Sequence, residues 1–117
     1  PLFADESCHT TEDIEKCADH FHGINIKLMK CGGLTPAIAM IQMARQYELK
    51  IMIGCMTETS IGISALAQIL PLVDYADLDG SMLISNDPAK GVYLHYGSVV
   101  FSDKFGTGAE LLVKNPI

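Results

Sequence analysis

The sequence predicts an α/β fold made of parallel strands, and three observations carry that expectation. Four short apolar runs are separated by three helix-start signals, at a repeat of roughly two dozen residues, which is the rhythm of strands joined by right-handed helical crossovers. Apolar residues at helical spacing follow the runs. After Gly80 the helical periodicity stops, and what remains reads as a short β-structured carboxyl-terminal segment. The expected division is therefore residues 1–80, carrying four β-α units, and residues 81–117.

Leu2-Phe3-Ala4 is the first strand and ends abruptly at Asp5-Glu6-Ser7. Thr10 and Thr11 with Glu12 and Asp13 behind them mark a helix start, because a hydroxyl cap and early acids satisfy the free amides. Ile14, Cys17, Ala18 and Phe21 then form one apolar stripe, and Gly23 is expected to close that helix. Ile24 to Met29 alternates, with Ile24, Ile26 and Leu28 on one face and Asn25, Lys27 and Met29 on the other. Cys31-Gly-Gly reads as a loop, and Thr35 as the cap of a helix with Pro36 at its first position, running to about Leu49 with Ile38, Met40 and Ile41 among its apolar residues. Lys50 to Met56 is the third strand, a helix from about Ser60 to Leu70 follows, and a short strand at Tyr75-Ala76 ends in Asp77-Leu78-Asp79-Gly80. The last segment offers Gly91-Val-Tyr-Leu and Ser98-Val-Val-Phe as strands and Gly106-Thr-Gly108 as a turn.

With 117 residues and 49% hydrophobic content the chain can bury a core. Its net charge of −6 and lack of a Lys/Arg cluster argue against a nucleic-acid or anionic-membrane surface, since neither is held without concentrated positive charge. Cys8, Cys17, Cys31 and Cys55 are far apart with no C-x-x-C pair, which suggests neither zinc nor a disulfide framework and fits a reducing, cytoplasmic setting. The tract from Ile61 to Val73 is interrupted by Gly62, Ser64, Gln68 and Pro71 and is too short to span a bilayer; no signal peptide is visible. The chain opens on Pro1 and enters a strand at once, so further sequence upstream is expected. Four β-α units are half of an eight-stranded barrel, which typically needs about 250 residues.

In parallel α/β folds the chemistry sits at the carboxyl ends of the strands. Here those ends supply Asp5 and Glu6, then Lys27, then Met56, Thr57 and Glu58, then Asp77 and Asp79. Singly each has an ordinary reading: a solvated acidic pair, a snorkelling lysine, a helix cap at Glu58, turn formers before Gly80. Together they suit a hard cation such as Mg²⁺ beside a lysine base, the apparatus for removing a proton α to a carboxylate. The cation offsets the developing enolate charge, and the neighbouring positive charge with partial burial lowers a lysine toward the neutral form a base needs.

PLFADES, INIKLMKCGGL, IGCMTETSIGISA and ADLDG, in this order and spacing, resemble the enolase superfamily, muconate-lactonizing subgroup, and within it the dipeptide epimerases of the Ala-Glu epimerase kind. The resemblance covers nearly the whole chain. It implies the carboxyl-terminal half of a TIM-like (β/α)7β barrel, with residues 81–117 packing back on the barrel and a capping domain. It implies Mg²⁺ held by Asp5 as one of three carboxylates, Lys27 as one of two opposed acid/base lysines, Asp77 and Asp79 holding the substrate's α-ammonium group, and Met56 and Thr57 lining the pocket. Glu6 is then a supporting partner of the metal site, Glu58 a frequent acidic position, and Lys30 a solvated loop charge. The implied reaction is 1,1-proton transfer at the α-carbon of a dipeptide such as Ala-Glu through an enolate. The opposing lysine, two metal carboxylates and the loops that read the substrate side chain would lie upstream, so the dipeptide's identity and the oligomeric state stay open. The rivals are other activities of the subgroup (o-succinylbenzoate synthase, N-acylamino acid racemase, cycloisomerase), whose substrates lack the free ammonium, and a non-catalytic half-barrel binding module.

Overall fold

The computed structural model describes residues 1–112 and resolves the chain into two compact units. Pro1–Gly54 and Ile69–Asp77 make the first; Cys55–Gln68 and residues 78–112 make the second. Residues 113–117 of the expected carboxyl-terminal segment lie outside the described residues.

The first unit is a four-stranded parallel sheet in sequential order: β1 (Phe3–Ala4), β2 (Gly23–Lys27), β3 (Lys50–Gly54) and β4 (Tyr75–Ala76). Register aligns Ala4 with Ile24, Ile24 with Ile51 and Ile26 with Ile53. These residues point to one face and are at most 1% exposed. Helices α1 (Ile14–Ala18) and α3 (Leu34–Gln46) cover β2, bringing Ile14 and Cys17, and the stripe Ala37, Met40, Ile41 and Ala44, into the core. That stripe follows the i, i+3, i+4, i+7 rule, and Ile38 falls off it and is exposed.

The opposite face carries Phe3, Asn25, Lys27, Met52 and Tyr75 by the two-residue period of a strand. Phe3 on β1 and Tyr75 on β4 stack edge to face with ring centroids 5.4 Å apart. Three strand spacings in a flat sheet would separate these positions by about 14 Å. The contact therefore requires a strongly curled sheet with this face inside, the curvature of a barrel wall.

Several boundaries differ from expectation for local reasons. A 3₁₀ turn, Thr11–Asp13, precedes α1, and Phe21 lies beyond the helix. Gly23 does not end a helix but opens β2, where any Cβ would collide with the Phe3 ring. Strand β2 stops at Lys27, and Leu28–Cys31 form a one-turn helix, α2, so the expected alternation through Met29 fails after Lys27. Helix α3 begins after Gly33 rather than at a Thr35 cap, placing Pro36 in the first turn, where a missing N–H costs nothing. Strand β3 ends at Gly54, short of Met56.

In the second unit α4 (Ser60–Ala67) buries Ile63, Ser64, Leu66 and Ala67. It stops three residues before the expected Leu70; Leu70–Leu72, which belong to the first unit, form a 3₁₀ turn around Pro71. Beyond another 3₁₀ turn, Gly80–Leu83, the expected β structure is present as two antiparallel pairs. Strands β5 (Ala89–Lys90) and β8 (Glu110–Leu111) pair, while β6 (Tyr93–His95) and β7 (Ser98–Val100) form a hairpin. The hairpin turn is Tyr96-Gly97, both at positive φ, as a two-residue turn of matching twist requires. Val92 N–H donates to the fully buried Ser64 Oγ at 2.9 Å, tying this region to α4.

Candidate active site

Asp5 leaves the carboxyl end of β1 on the concave face, and Lys27 ends the adjacent strand on the same face. Lys27 Nζ donates to Asp5 Oδ2 at 3.0 Å. The Lys27 side chain is only 14% exposed and that of Asp5 38%. An ammonium thus sits near the end of an apolar strand because a carboxylate on the next strand meets it.

A second lysine completes the arrangement. Helix α2 turns the chain back over the strand end, and Lys30 Nζ donates to Asp5 Oδ1 at 2.8 Å and to Glu6 Oε2 at 2.6 Å. Its side chain is 12% exposed, so the expectation that Lys30 is a solvated loop charge is overturned. Burial alone would push the Asp5 carboxyl up, but hydrogen bonds and charge from Lys30 and Lys27 outweigh it and hold the group below the ordinary 3.8. Burial likewise opposes the charged form of Lys30, and its bonds to Asp5 and Glu6 overcome that and raise it. Asp5, Glu6, Lys27 and Lys30 are thereby joined in one connected network of side-chain contacts.

The donor set at Asp5 suits a hard cation. The carboxylate is held ionised and faces the inner side of the curl. A carboxylate offers about four lone-pair sites, of which the two lysines occupy two. Asp5 cannot hold such an ion alone, since Mg²⁺ keeps near-octahedral oxygen coordination. Among the described residues no group of three potential metal ligands includes Asp5.

Asn25, two residues before Lys27 on the same face, was not singled out from sequence. It is 8% exposed, and its Oδ1 has no hydrogen-bond partner among the described residues. Its amide lies against Gly54, the residue that pairs with Lys27 across β2 and β3, where a Cβ would stand 2.6 Å from Oδ1. A buried amide beside a glycine on a strand face shared with a strand-end lysine is a sequence signal only once the register is known.

The remaining expected positions lie further along the chain. Asp77 follows β4 directly, exposed, its N–H donating to Ile53 O at 2.9 Å and so extending the sheet pairing. In the second unit, Met56 and Thr57 are exposed, and Glu58 Oε1 accepts the Met56 N–H at 3.0 Å rather than capping α4. Asp79 is exposed, with Oδ1 3.9 Å from Cys55 Sγ, and Gly80 N–H donates to the same sulfur at 3.3 Å. Cys55 thereby fixes the turn that carries Asp79.

The chain is similar to known proteins in sequence and in fold. The chain is 57% identical over 112 residues to an L-Ala-D/L-amino acid epimerase of Maribacter sp., covering 95% of this chain and 33% of the relative. It is 49% identical over 108 residues to an L-Ala-D/L-Glu epimerase of Bacteroides thetaiotaomicron, covering 92% of this chain and 28% of the relative. Among solved structures, a dipeptide epimerase from Methylococcus capsulatus complexed with Mg and the dipeptide L-Arg-D-Lys superposes with a TM-score of 0.84 at 36% identity, over 92% of this chain and 32% of that one. The chain spans about a third of the length of the curated relatives it matches. The family model described as enolase C-terminal domain-like matches residues 1–114, and the chain belongs to that family.

Proposed function

We propose that the full-length protein is a Mg²⁺-dependent dipeptide epimerase, an isomerase that moves one proton at the α-carbon of a dipeptide such as Ala-Glu through an enolate. The observation that carries this reading is the 3.0 Å pair of Lys27 and Asp5 at the carboxyl ends of adjacent parallel strands. The relatives named as epimerases of L-Ala dipeptides, and the neighbour solved with Mg and a dipeptide, support it.

Asp5 would hold the cation together with carboxylates from the rest of the chain, and Glu6 would support it through Lys30. When bound, Mg²⁺ would offset the substrate carboxylate and the negative charge that grows as the α-proton leaves. Lys27 Nζ would remove that proton from one epimer and return it to the other. Asp77 and Asp79 would hold the free ammonium, which N-acylated substrates lack. Met56 and Thr57 would line the pocket, and Glu58 would brace their loop through the Met56 amide.

In this reading residues 1–80 are the carboxyl-terminal half of the barrel, and residues 81–117 pack back on the barrel and a capping domain. Tyr96 at 96% and Phe105 at 101% exposure support a covering partner for that segment, because side chains this apolar gain most from burial. The acidic charge fits a protein without nucleic-acid or membrane partners, and the reaction fits the cytoplasm; no helix among the described residues is long and apolar enough to cross a membrane.

The test is a screen of the full-length enzyme against free and N-acylated dipeptides, with solvent deuterium reporting α-proton exchange. Epimerisation confined to dipeptides with a free ammonium is expected, lost on chelation and restored by Mg²⁺. Lys27→Ala should abolish turnover and stop exchange through one face. Undiminished epimerisation by that variant removes Lys27 from the mechanism.

A further inference from the structure

Lys30 has no part in the proton transfer outlined above, yet its ammonium meets two carboxylates. Its ammonium lies 2.8 Å from Asp5 Oδ1 and 2.6 Å from Glu6 Oε2, at 12% side-chain exposure. A freely solvated lysine keeps its head in water and spreads over many rotamers; this one is held between two acids that neighbour each other in sequence.

Asp5 is consequently gripped from both sides. Oδ2 accepts from Lys27 and Oδ1 from Lys30. Rotation of the carboxylate about its last bond would break both bonds at once, so its plane is fixed, and the lone pairs left over point in set directions. The adjacent Glu6, which would otherwise repel Asp5, serves as the second anchor of Lys30. The spacing that achieves this is local: Lys27 closes β2, and one helical turn, Leu28–Cys31, brings the residue three positions later back over the same strand end.

We propose that Lys30 is a positioning residue, a strut between Asp5 and Glu6 that orients the Asp5 carboxylate for a divalent cation and against Lys27. The inference rests on the epimerase reading for the role of the cation, but the strut itself is a claim about metal affinity and can be tested apart from turnover. Two physical pictures make opposite predictions. A lysine that merely adds positive charge near the ion repels it, and its removal tightens Mg²⁺ binding. A lysine that orients a ligand lowers the cost of assembling the site, and its removal weakens binding; partners of metal ligands of this kind typically change affinity or activity by about 10- to 100-fold.

The experiment uses the full-length enzyme and the variants Lys30→Met, which keeps length and loses the charge, and Lys30→Arg, whose fork can bridge two carboxylates. Mg²⁺ affinity is measured by titration calorimetry without substrate, kcat and KM with a dipeptide, and folding by thermal melting. Lys30→Met should weaken Mg²⁺ by about tenfold or more and lower kcat at least as much with little change in KM, while Lys30→Arg stays within about threefold of wild type. Unchanged or tighter Mg²⁺ binding by folded Lys30→Met overturns the proposal. Should that variant not fold, Glu6→Gln loosens the other end of the strut on a mostly exposed side chain; weaker Mg²⁺ binding supports the proposal and unchanged or tighter binding overturns it. A wild-type enzyme that binds Mg²⁺ but epimerises no dipeptide removes the functional reading and leaves the affinity comparison to decide the role of Lys30.

Discussion

Replacing Gly54 with alanine tests the packing behind the lysine directly. Gly54 pairs with Lys27 in the register of β2 and β3, and its Cβ would stand 2.6 Å from Asn25 Oδ1, 2.8 Å from Nδ2 and 3.1 Å from Cγ. Carbon and carbonyl oxygen ordinarily approach to about 3.3 Å, so the shortfall at Oδ1 is about 0.7 Å. Flipping the amide exchanges one close contact for the other, and at 8% exposure Asn25 has little room to swing away. The strands must part or Asn25 must leave its rotamer, at a cost of about 1–3 kcal/mol. That is smaller than a stability of about 5–15 kcal/mol, so the variant stays folded. Because a misplacement of about 1 Å costs on the order of a hundredfold in rate, a few tenths of an ångström at Lys27 should lower kcat about tenfold. The assay is a double-mutant cycle by urea unfolding of the full-length protein: Gly54→Ala, Asn25→Ala and both together. Asn25→Ala removes an acceptor with no partner among the described residues, so it should relieve the clash and leave the double variant more stable than Gly54→Ala. A coupling of at least about 1 kcal/mol is expected; additivity within about 0.5 kcal/mol would refute the steric argument.

Two further outcomes follow from contacts elsewhere. Ser64→Ala strands the buried Val92 amide that Ser64 Oγ accepts at 2.9 Å, so unfolding in urea should show a loss of about 1–3 kcal/mol, and Gly91→Ala should cost a similar amount because its Cβ would collide with that oxygen. Asp74 Oδ2 accepts from Arg45 Nη1 at 2.7 Å and from Ile51 N–H at 2.7 Å, and these bonds hold its carboxyl below 3.8, the Arg45 bond foremost. A carboxyl lowered on folding stabilises above its unfolded value and loses that contribution as the pH falls through its folded value. The stability gap between wild type and Asp74→Asn should therefore be level above about pH 5 and close below 3.8, with a plateau of about 1 kcal/mol or less because the ion pair is partly exposed.

The chain's periodicities were legible wherever one face of an element is buried by its neighbours. Ile24 and Ile26 read as a strand face because a two-residue period survives only where alternate residues meet helices, and Ala37, Met40, Ile41 and Ala44 read as a helix face for the same reason. The end of β2 was not legible, since Leu28 and Met29 continue the alternation by hydropathy while belonging to a helical turn. Gly23 misled in the same way: glycine ends many helices, but here its lack of a side chain answers to Phe3 some twenty residues earlier, a constraint no local window contains.

The site divides along the same line. The strand-end placement of Asp5 and Lys27 is legible because strand ends can be counted, whereas the engagement of Lys30 is not, because its partners lie 24 and 25 residues away and its burial is set by them. One signal was nevertheless in the sequence. Two consecutive acids follow one strand, and of two lysines spaced by three the first closes the next strand and the second lies one turn beyond, so opposite charges face each other across neighbouring strand ends before any coordinate is known. In a parallel sheet adjacent strand ends are about 5 Å apart. Side chains of this length reach across that gap, and unpaired ions at a half-buried rim are costly. Equal and opposite counts on neighbouring ends therefore imply pairing of all four groups, the second lysine with the second acid included.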